Sequence, residues 1–64
     1  MPRKVRDLIK DLERAGFVSR GGKGSHRNYT HARGVRITLR GNPGADAKHY
    51  QERDVDRALR ESQQ

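Results

Sequence analysis

Two segments of alternating polarity, residues 25–31 and 35–40, constrain the fold of this chain more than any other feature of its sequence. The loop between them is three residues long: Ala32, Arg33 and Gly34. This length is typical of a bulged β-hairpin, in which a glycine adopts the left-handed conformation. The sequence therefore predicts two antiparallel strands in one register, with His31 paired to Val35.

This register separates the hairpin side chains by polarity onto two faces. The apolar face, which we call the inner face, consists of Tyr29, Val35, Ile37 and Leu39. The opposite, polar face, which we call the outer face, receives His26, Asn28, Thr30, Arg36, Thr38 and Arg40. Because only the inner face is apolar, we expect the rest of the chain to cover that face alone.

Apolar residues at helical spacing supply that cover. Four of them recur at i, i+3, i+4 and i+7 and predict an amphipathic helix over residues 3–15: Val5, Leu8, Ile9 and Leu12. A shorter repeat predicts a second helix over residues 51–62: Val55, Ala58 and Leu59. Phe17 and Val18 predict a short first strand, and residues 41–49 a connecting loop. We therefore expect an α+β fold in the order α-β-β-β-α, with a three-stranded antiparallel sheet and both helices on one face.

Basic residues are concentrated in the middle of the chain. The formal net charge is +7, and residues 20–40 contain six basic residues and no acidic one. A one-sided positive field of this kind is typical of a protein that binds a polyanion. With 64 residues, no cysteine and no long apolar run, we expect a single domain over residues 1–64, in the cytoplasm, without disulfides and away from the membrane.

A glycine-rich segment, residues 21–24, leads into Ser25 and His26. An unperturbed histidine has a pKa of about 6.5, so it can accept or donate a proton near neutral pH. An anionic group bound beside it needs nearby hydrogen-bond donors. Lys23, Arg27, Arg40 and the backbone N–H groups of glycines 22 and 24 are the candidates.

Two segments, residues 12–17 and 22–29, together with the basic strand after them, resemble the HicA toxins, small RNA-cleaving members of bacterial type II toxin–antitoxin pairs. The resemblance rests on Ala-Gly-Phe at 15–17, Gly-Ser-His at 24–26 and the spacing between them. It implies a fold similar to double-stranded-RNA-binding domains, His26 as the catalytic histidine, mRNA as substrate and a HicB-type antitoxin as partner. After residue 41 the sequence departs from the family pattern.

On this interpretation the chain is a metal-independent endoribonuclease toxin that needs no cofactor. The expected RNA-binding residues are Lys23, Gly24, Ser25, Arg27, Arg36 and Arg40. The second acid–base group is left open among His31, His49 and Lys23, and the histidines lack the spacing of a zinc site. Two alternatives involve no catalysis: an RNA-binding domain that uses the same basic face without cutting, and a module that binds an acidic protein.

Overall fold

The computed structural model describes residues 3–22 and 26–63. Its elements follow the predicted order α-β-β-β-α: α1 Val5–Arg14, β1 Val18–Ser19, β2 His26–Thr30, β3 Arg36–Arg40 and α2 His49–Ser62. The three strands form one antiparallel sheet in the order β1-β2-β3. The predicted α+β fold is confirmed.

The β2–β3 hairpin has the register that the three-residue loop predicts. All five pairs agree with it: His26 with Arg40, Arg27 with Leu39, Asn28 with Thr38, Tyr29 with Ile37 and Thr30 with Arg36. The backbone N–H of His31 donates to the carbonyl of Val35 at 2.9 Å and closes the hairpin. The glycine of the loop has a φ of 89°, the left-handed conformation expected of it.

Both helices cover the inner face of the sheet. Tyr29 and Leu39 are buried there in one cluster with side chains from α1 and α2. The helices contribute Leu8, Leu12, Val55 and Ala58 to this cluster. Burial of these apolar side chains is the main source of stability in so small a domain. Neither described helix has the length and apolar character needed to cross a membrane.

The connecting loop caps the start of α1, which begins two residues later than predicted. The backbone N–H of Val5 donates to the carbonyl of Ala45 at 2.9 Å, and the carbonyl of Arg3 accepts from the N–H of Ala47 at 2.7 Å. The loop thus satisfies a helix N–H that has no partner within the helix. It also holds the chain extended at Lys4, the residue before the helix. The predicted helix includes residues 3 and 4, and this part of the prediction is wrong. Helical periodicity carries no information about the long-range contact that holds these residues outside the helix.

Helix α2 begins at His49, two residues before the predicted start. Gln51 lies in its first turn and is only 4% exposed. Its Oε1 accepts a hydrogen bond from the backbone N–H of Lys48 at 2.8 Å, and its Nε2 donates to the carbonyl of Arg40 at 2.7 Å. One buried amide therefore caps α2 and joins it to the end of β3.

The first strand is displaced by one residue from its predicted position. Strand β1 comprises Val18 and Ser19, whereas Phe17 precedes it and is buried in the core. The backbone N–H of Phe17 donates to the carbonyl of Leu12 at 3.0 Å, which terminates α1 rather than extending the sheet. The apolar character of Phe17 is thus explained by the core, not by a strand.

We predict that Gln51→Ala lowers the free energy of unfolding by about 2 kcal/mol, because it leaves the Lys48 N–H and the Arg40 carbonyl without their partner. Urea unfolding followed by circular dichroism measures the change. Gln63→Ala is the matched control, since Gln63 is exposed after the last turn of α2 and its loss should cost less than about 0.5 kcal/mol. Equal unfolding midpoints for the two variants would contradict the bridging role of Gln51.

Candidate nucleic-acid interface

The outer face of the sheet extends across all three strands. Val18 pairs with Thr30, and the backbone N–H of Arg20 donates to the carbonyl of Asn28 at 2.7 Å. Since paired residues share a face, β1 and the residue after it add two side chains to the face predicted from the hairpin. Among the described residues, the outer face now consists of Val18, Arg20, His26, Asn28, Thr30, Arg36, Thr38 and Arg40.

The outer face is positively charged. Arg20, Arg36 and Arg40 are exposed on it, and no acidic side chain lies in the described strands. All eight acidic residues of the sequence lie either between positions 7 and 13 or between positions 46 and 61, in the helices and the connecting loop. The fold therefore separates the charges and leaves a basic sheet surface suited to a polyanion.

His26 is exposed at the first position of β2, directly opposite Arg40. Hydrogen-bonded and non-hydrogen-bonded pairs alternate along an antiparallel ladder, and the bond from His31 to Val35 assigns the His26–Arg40 pair to the non-hydrogen-bonded type. Side chains approach most closely in such pairs, with Cβ atoms about 5 Å apart. The imidazole and the guanidinium can therefore contact the same phosphodiester.

Gly21 and Gly22 approach β2 from the side of β1. A Cβ placed on Gly22 would lie 2.0 Å from the backbone oxygen of His26, so no other residue fits here without displacing the strand. The carbonyl of Gly21 accepts from the N–H of Asn28 at 3.0 Å, which continues the pairing of β1 with β2 up to this point. The predicted site residues Lys23, Gly24 and Ser25 lie outside the described residues.

Two side-chain hydrogen bonds order the centre of the outer face. Thr38 Oγ1 donates to Asn28 Oδ1 at 2.8 Å across β2 and β3. Arg20 Nε donates to Thr30 Oγ1 at 3.0 Å and joins the residue after β1 to β2. The second bond fixes one end of the Arg20 guanidinium over the sheet, which leaves its terminal nitrogens as donors for a ligand.

The structure brings some of the predicted RNA-binding residues together but not all of them. Arg36 and Arg40 share the outer face and are about 13 Å apart along β3, the rise of four strand residues. Arg27 lies on the inner face, because it pairs with Leu39 and follows His26 by one residue. It is half-buried, and its Nε has no hydrogen-bond partner among the described residues.

Of the candidate second acid–base groups, His31 has both ring nitrogens engaged in hydrogen bonds to the backbone. Its Nδ1 accepts from the backbone N–H of Arg33 at 3.1 Å, so its Nε2 is the protonated nitrogen and donates to the carbonyl of Ala15 at 2.9 Å. Its ring also packs against Phe17, with centroids 5.0 Å apart. His31 therefore holds the hairpin loop against the end of α1, while His49 is exposed at the start of α2.

Sequence reasoning missed Arg20 as a member of the basic face. The hairpin register assigns faces only within β2 and β3. The face on which Arg20 lies depends instead on the register in which β1 pairs with β2. With that pairing in place, the alternation of side chains puts Arg20 on the same face as His26. A third basic group thereby joins the two from β3.

Comparison with known proteins identifies the family. A sequence model of the HicA toxin of bacterial toxin–antitoxin systems matches residues 5–63, nearly the whole chain. The match extends through the connecting loop and α2, beyond the residues that carried the resemblance noted above. A search of curated proteins found no match. Within residues 3–22 and 26–63, no group of three or more metal-ligating side chains could hold a metal ion. The chain belongs to the HicA toxin family and is thus a toxin of a toxin–antitoxin system.

Proposed function

We propose that this toxin is a metal-independent endoribonuclease that cleaves mRNA in the cytoplasm with His26 as its catalytic residue. The observation that carries the proposal is the position of His26, exposed on a basic, acid-free sheet face and paired with Arg40. An open face suits a polymer, which needs room on both sides of the cleaved bond. Family membership supports the same chemistry, because the HicA toxins are known for RNA cleavage.

The proposed reaction is an in-line attack of a ribose 2′-oxygen on the adjacent phosphorus. The P–O5′ bond breaks, leaving a 2′,3′-cyclic phosphate on one product and a 5′-hydroxyl on the other. His26 either accepts the 2′-OH proton as a general base or donates a proton to the leaving 5′-oxygen as a general acid. The nonbridging oxygens gain negative charge during this step, and Arg40 beside His26 is placed to stabilise it.

The other arginines of the outer face hold the RNA backbone. Arg36 lies on β3 and Arg20 directly follows β1, so an RNA strand that contacts both crosses the sheet rather than following β2 alone. Guanidinium groups bind phosphate through paired hydrogen bonds, which positions the chain without reading its sequence. The predicted RNA contacts of Lys23, Gly24 and Ser25 belong to this proposal. The predicted contact of Arg27 belongs to it as well, although its side chain starts from the inner face and would reach the RNA around the end of β2.

The antitoxin is proposed to be a HicB-type protein that offers acidic groups to this toxin. A surface that attracts RNA by its positive charge also attracts an acidic protein, because both interactions depend on the same field. Family membership gives the toxin a protein antitoxin as partner.

We predict that His26→Ala abolishes RNA cleavage and leaves the fold intact. An exposed side chain contributes less than about 0.5 kcal/mol to stability, so the loss of activity would reflect the missing imidazole. Gel analysis of RNA incubated with purified protein measures cleavage, and the wild-type reaction should proceed equally well in EDTA.

His49→Ala is the matched control, because it removes an exposed histidine that lies on α2 rather than on the sheet. We expect it to cleave as the wild type does. Cleavage by His26→Ala at the wild-type rate would refute the catalytic assignment. If neither the wild type nor the variants cut RNA but all bind it with the same salt dependence, the face is an RNA-binding surface without catalysis.

We predict that Arg40→Gln weakens RNA binding by about tenfold and reduces the salt dependence of binding by about one phosphate contact. The backbone carbonyl of Arg40 keeps its bond to Gln51 in this variant, so the fold should not change. Fluorescence anisotropy with labelled RNA at several salt concentrations measures both effects. Arg60→Gln, which removes another exposed arginine, from the last turn of α2, should leave the salt slope unchanged. An equal loss of RNA affinity in both variants would show that only the net charge of the protein matters.

We predict that Gly22→Ala reduces cleavage far more than Gly21→Ala. Both glycines have positive φ angles, 150° and 92°, so an alanine at either position strains the backbone by about 1 kcal/mol. Only the methyl group at position 22 would also collide with the backbone of His26; at position 21 nothing lies within 4 Å of it. Cleavage rates of the folded variants, compared below their unfolding temperatures, test this. Similar rates would show that the approach of Gly22 does not position His26.

A further inference from the structure

The outer edge of β3 is open. The sheet order is β1-β2-β3, so β3 pairs with β2 on one side and with no described strand on the other. The bond from the His31 N–H to the Val35 carbonyl fixes which backbone groups face which way. Because the direction alternates along a strand, the backbone N–H and C=O groups of Ile37 and Leu39 face β2, whereas those of Arg36 and Thr38 face the open edge. Two N–H and two C=O groups are therefore presented outward.

A second observation agrees with this assignment. The carbonyl of Arg40 also faces the open edge, and it accepts a hydrogen bond from Gln51 Nε2 at 2.7 Å. The side-chain amide of Gln51 thus satisfies the carbonyl of Arg40, so the unpaired part of the edge ends before this carbonyl. The available ladder runs from Arg36 to Thr38, with the N–H of Arg40 beyond it.

A groove runs beside the open edge, between β3 and α2. The strand side of the groove is lined by residues 35–38. The helix side is lined by Asp54, Arg57, Ala58 and Glu61, so its acidic side chains favour uncharged side chains of a ligand inside the groove and leave carboxylates to the outer face. A strand added to β3 would direct alternate side chains into this groove, against Ile37 and Ala58. Its other side chains would lie on the outer face, next to Arg36 and Arg40.

From the open edge, the groove and the charges we infer that β3 is a docking site for an extended, acidic segment of the antitoxin, which adds a fourth strand to the sheet. The inference rests on the proposed function only in naming the antitoxin as the source of the segment. Backbone hydrogen bonds to Arg36 and Thr38 supply the attachment. Carboxylates at alternate positions pair with Arg36 and Arg40, and small apolar side chains between them fill the groove.

The same charges disfavour a second copy of this chain at the edge. In the antiparallel register of full overlap, centred on Thr38, Arg36 of one copy would lie directly opposite Arg40 of the other. Like charges facing each other across a strand pair are destabilising. Arginines at an open edge therefore discourage self-association and favour a partner of opposite charge.

A synthetic peptide of about seven residues, with valine and glutamate alternating, is a suitable probe for this site. Amide hydrogen exchange of isotope-labelled protein, followed by nuclear magnetic resonance, reports each backbone N–H separately. We expect the peptide to slow exchange at Arg36 and Thr38 by roughly tenfold or more, whereas Ile37 and Leu39 are already paired with β2 and should change little.

Two control peptides separate strand addition from attraction by charge. One has lysine in place of glutamate, and the other keeps the glutamates but carries N-methyl groups on the backbone positions that would face β3. Neither should slow exchange at Arg36 or Thr38. Equal slowing by either control would overturn the inference, as would an unchanged exchange rate with the first peptide at millimolar concentration.

Exchange at Arg36 and Thr38 that is slowed without peptide, and more so at higher protein concentration, would show that a second copy of the chain binds this edge. This result would overturn the inference as well. Cleavage of RNA by the unbound protein is measured separately, without peptide. A toxin that cuts RNA but fails to bind the peptide refutes only the docking site. A toxin that binds the peptide but cuts no RNA refutes only the proposed enzymatic activity.

Discussion

The pairing of β2 with β3 is the constraint on which the rest of this structure depends. Tyr29 and Leu39 lie under the helices because the three-residue loop sets their register, and the same register puts His26 and Arg40 on the outside. A shift by one residue would exchange the two faces, burying the basic side chains and exposing the apolar ones. Core packing and the basic surface are therefore two consequences of one hydrogen-bonded ladder, and neither can change without the other.

Two histidines five positions apart illustrate how position in this ladder decides the use of a side chain. His26 lies on the outer face at the open end of the hairpin and is exposed. His31 lies at the closed end, where Ala15 and Arg33 engage its two ring nitrogens and Phe17 packs against the ring. An imidazole with both nitrogens bonded to the backbone stabilises the fold and has no ring nitrogen left to contact a substrate.

The hairpin register and both faces could be predicted from the sequence because they follow from local alternation and loop length. The parts that could not be predicted depend on contacts between distant segments. The start of α1 is fixed by the loop that precedes α2, and the start of α2 by Gln51. The residue before α2 is Lys48, not the serine or threonine that usually signals a helix cap. In the same way, Arg20 reaches the outer face only through the pairing of β1.

The proposed RNA surface and the proposed docking edge share Arg36 and Arg40, and this overlap has a mechanistic consequence. A segment bound along β3 with carboxylates against these arginines would neutralise two of the three arginines exposed on the outer face, even if it left His26 uncovered. Because RNA binding depends on neutralising phosphates one by one, the loss of two such contacts weakens binding by orders of magnitude at physiological salt. An antitoxin acting at this edge would thus inhibit cleavage by removing the field that holds the substrate, without blocking the catalytic group itself.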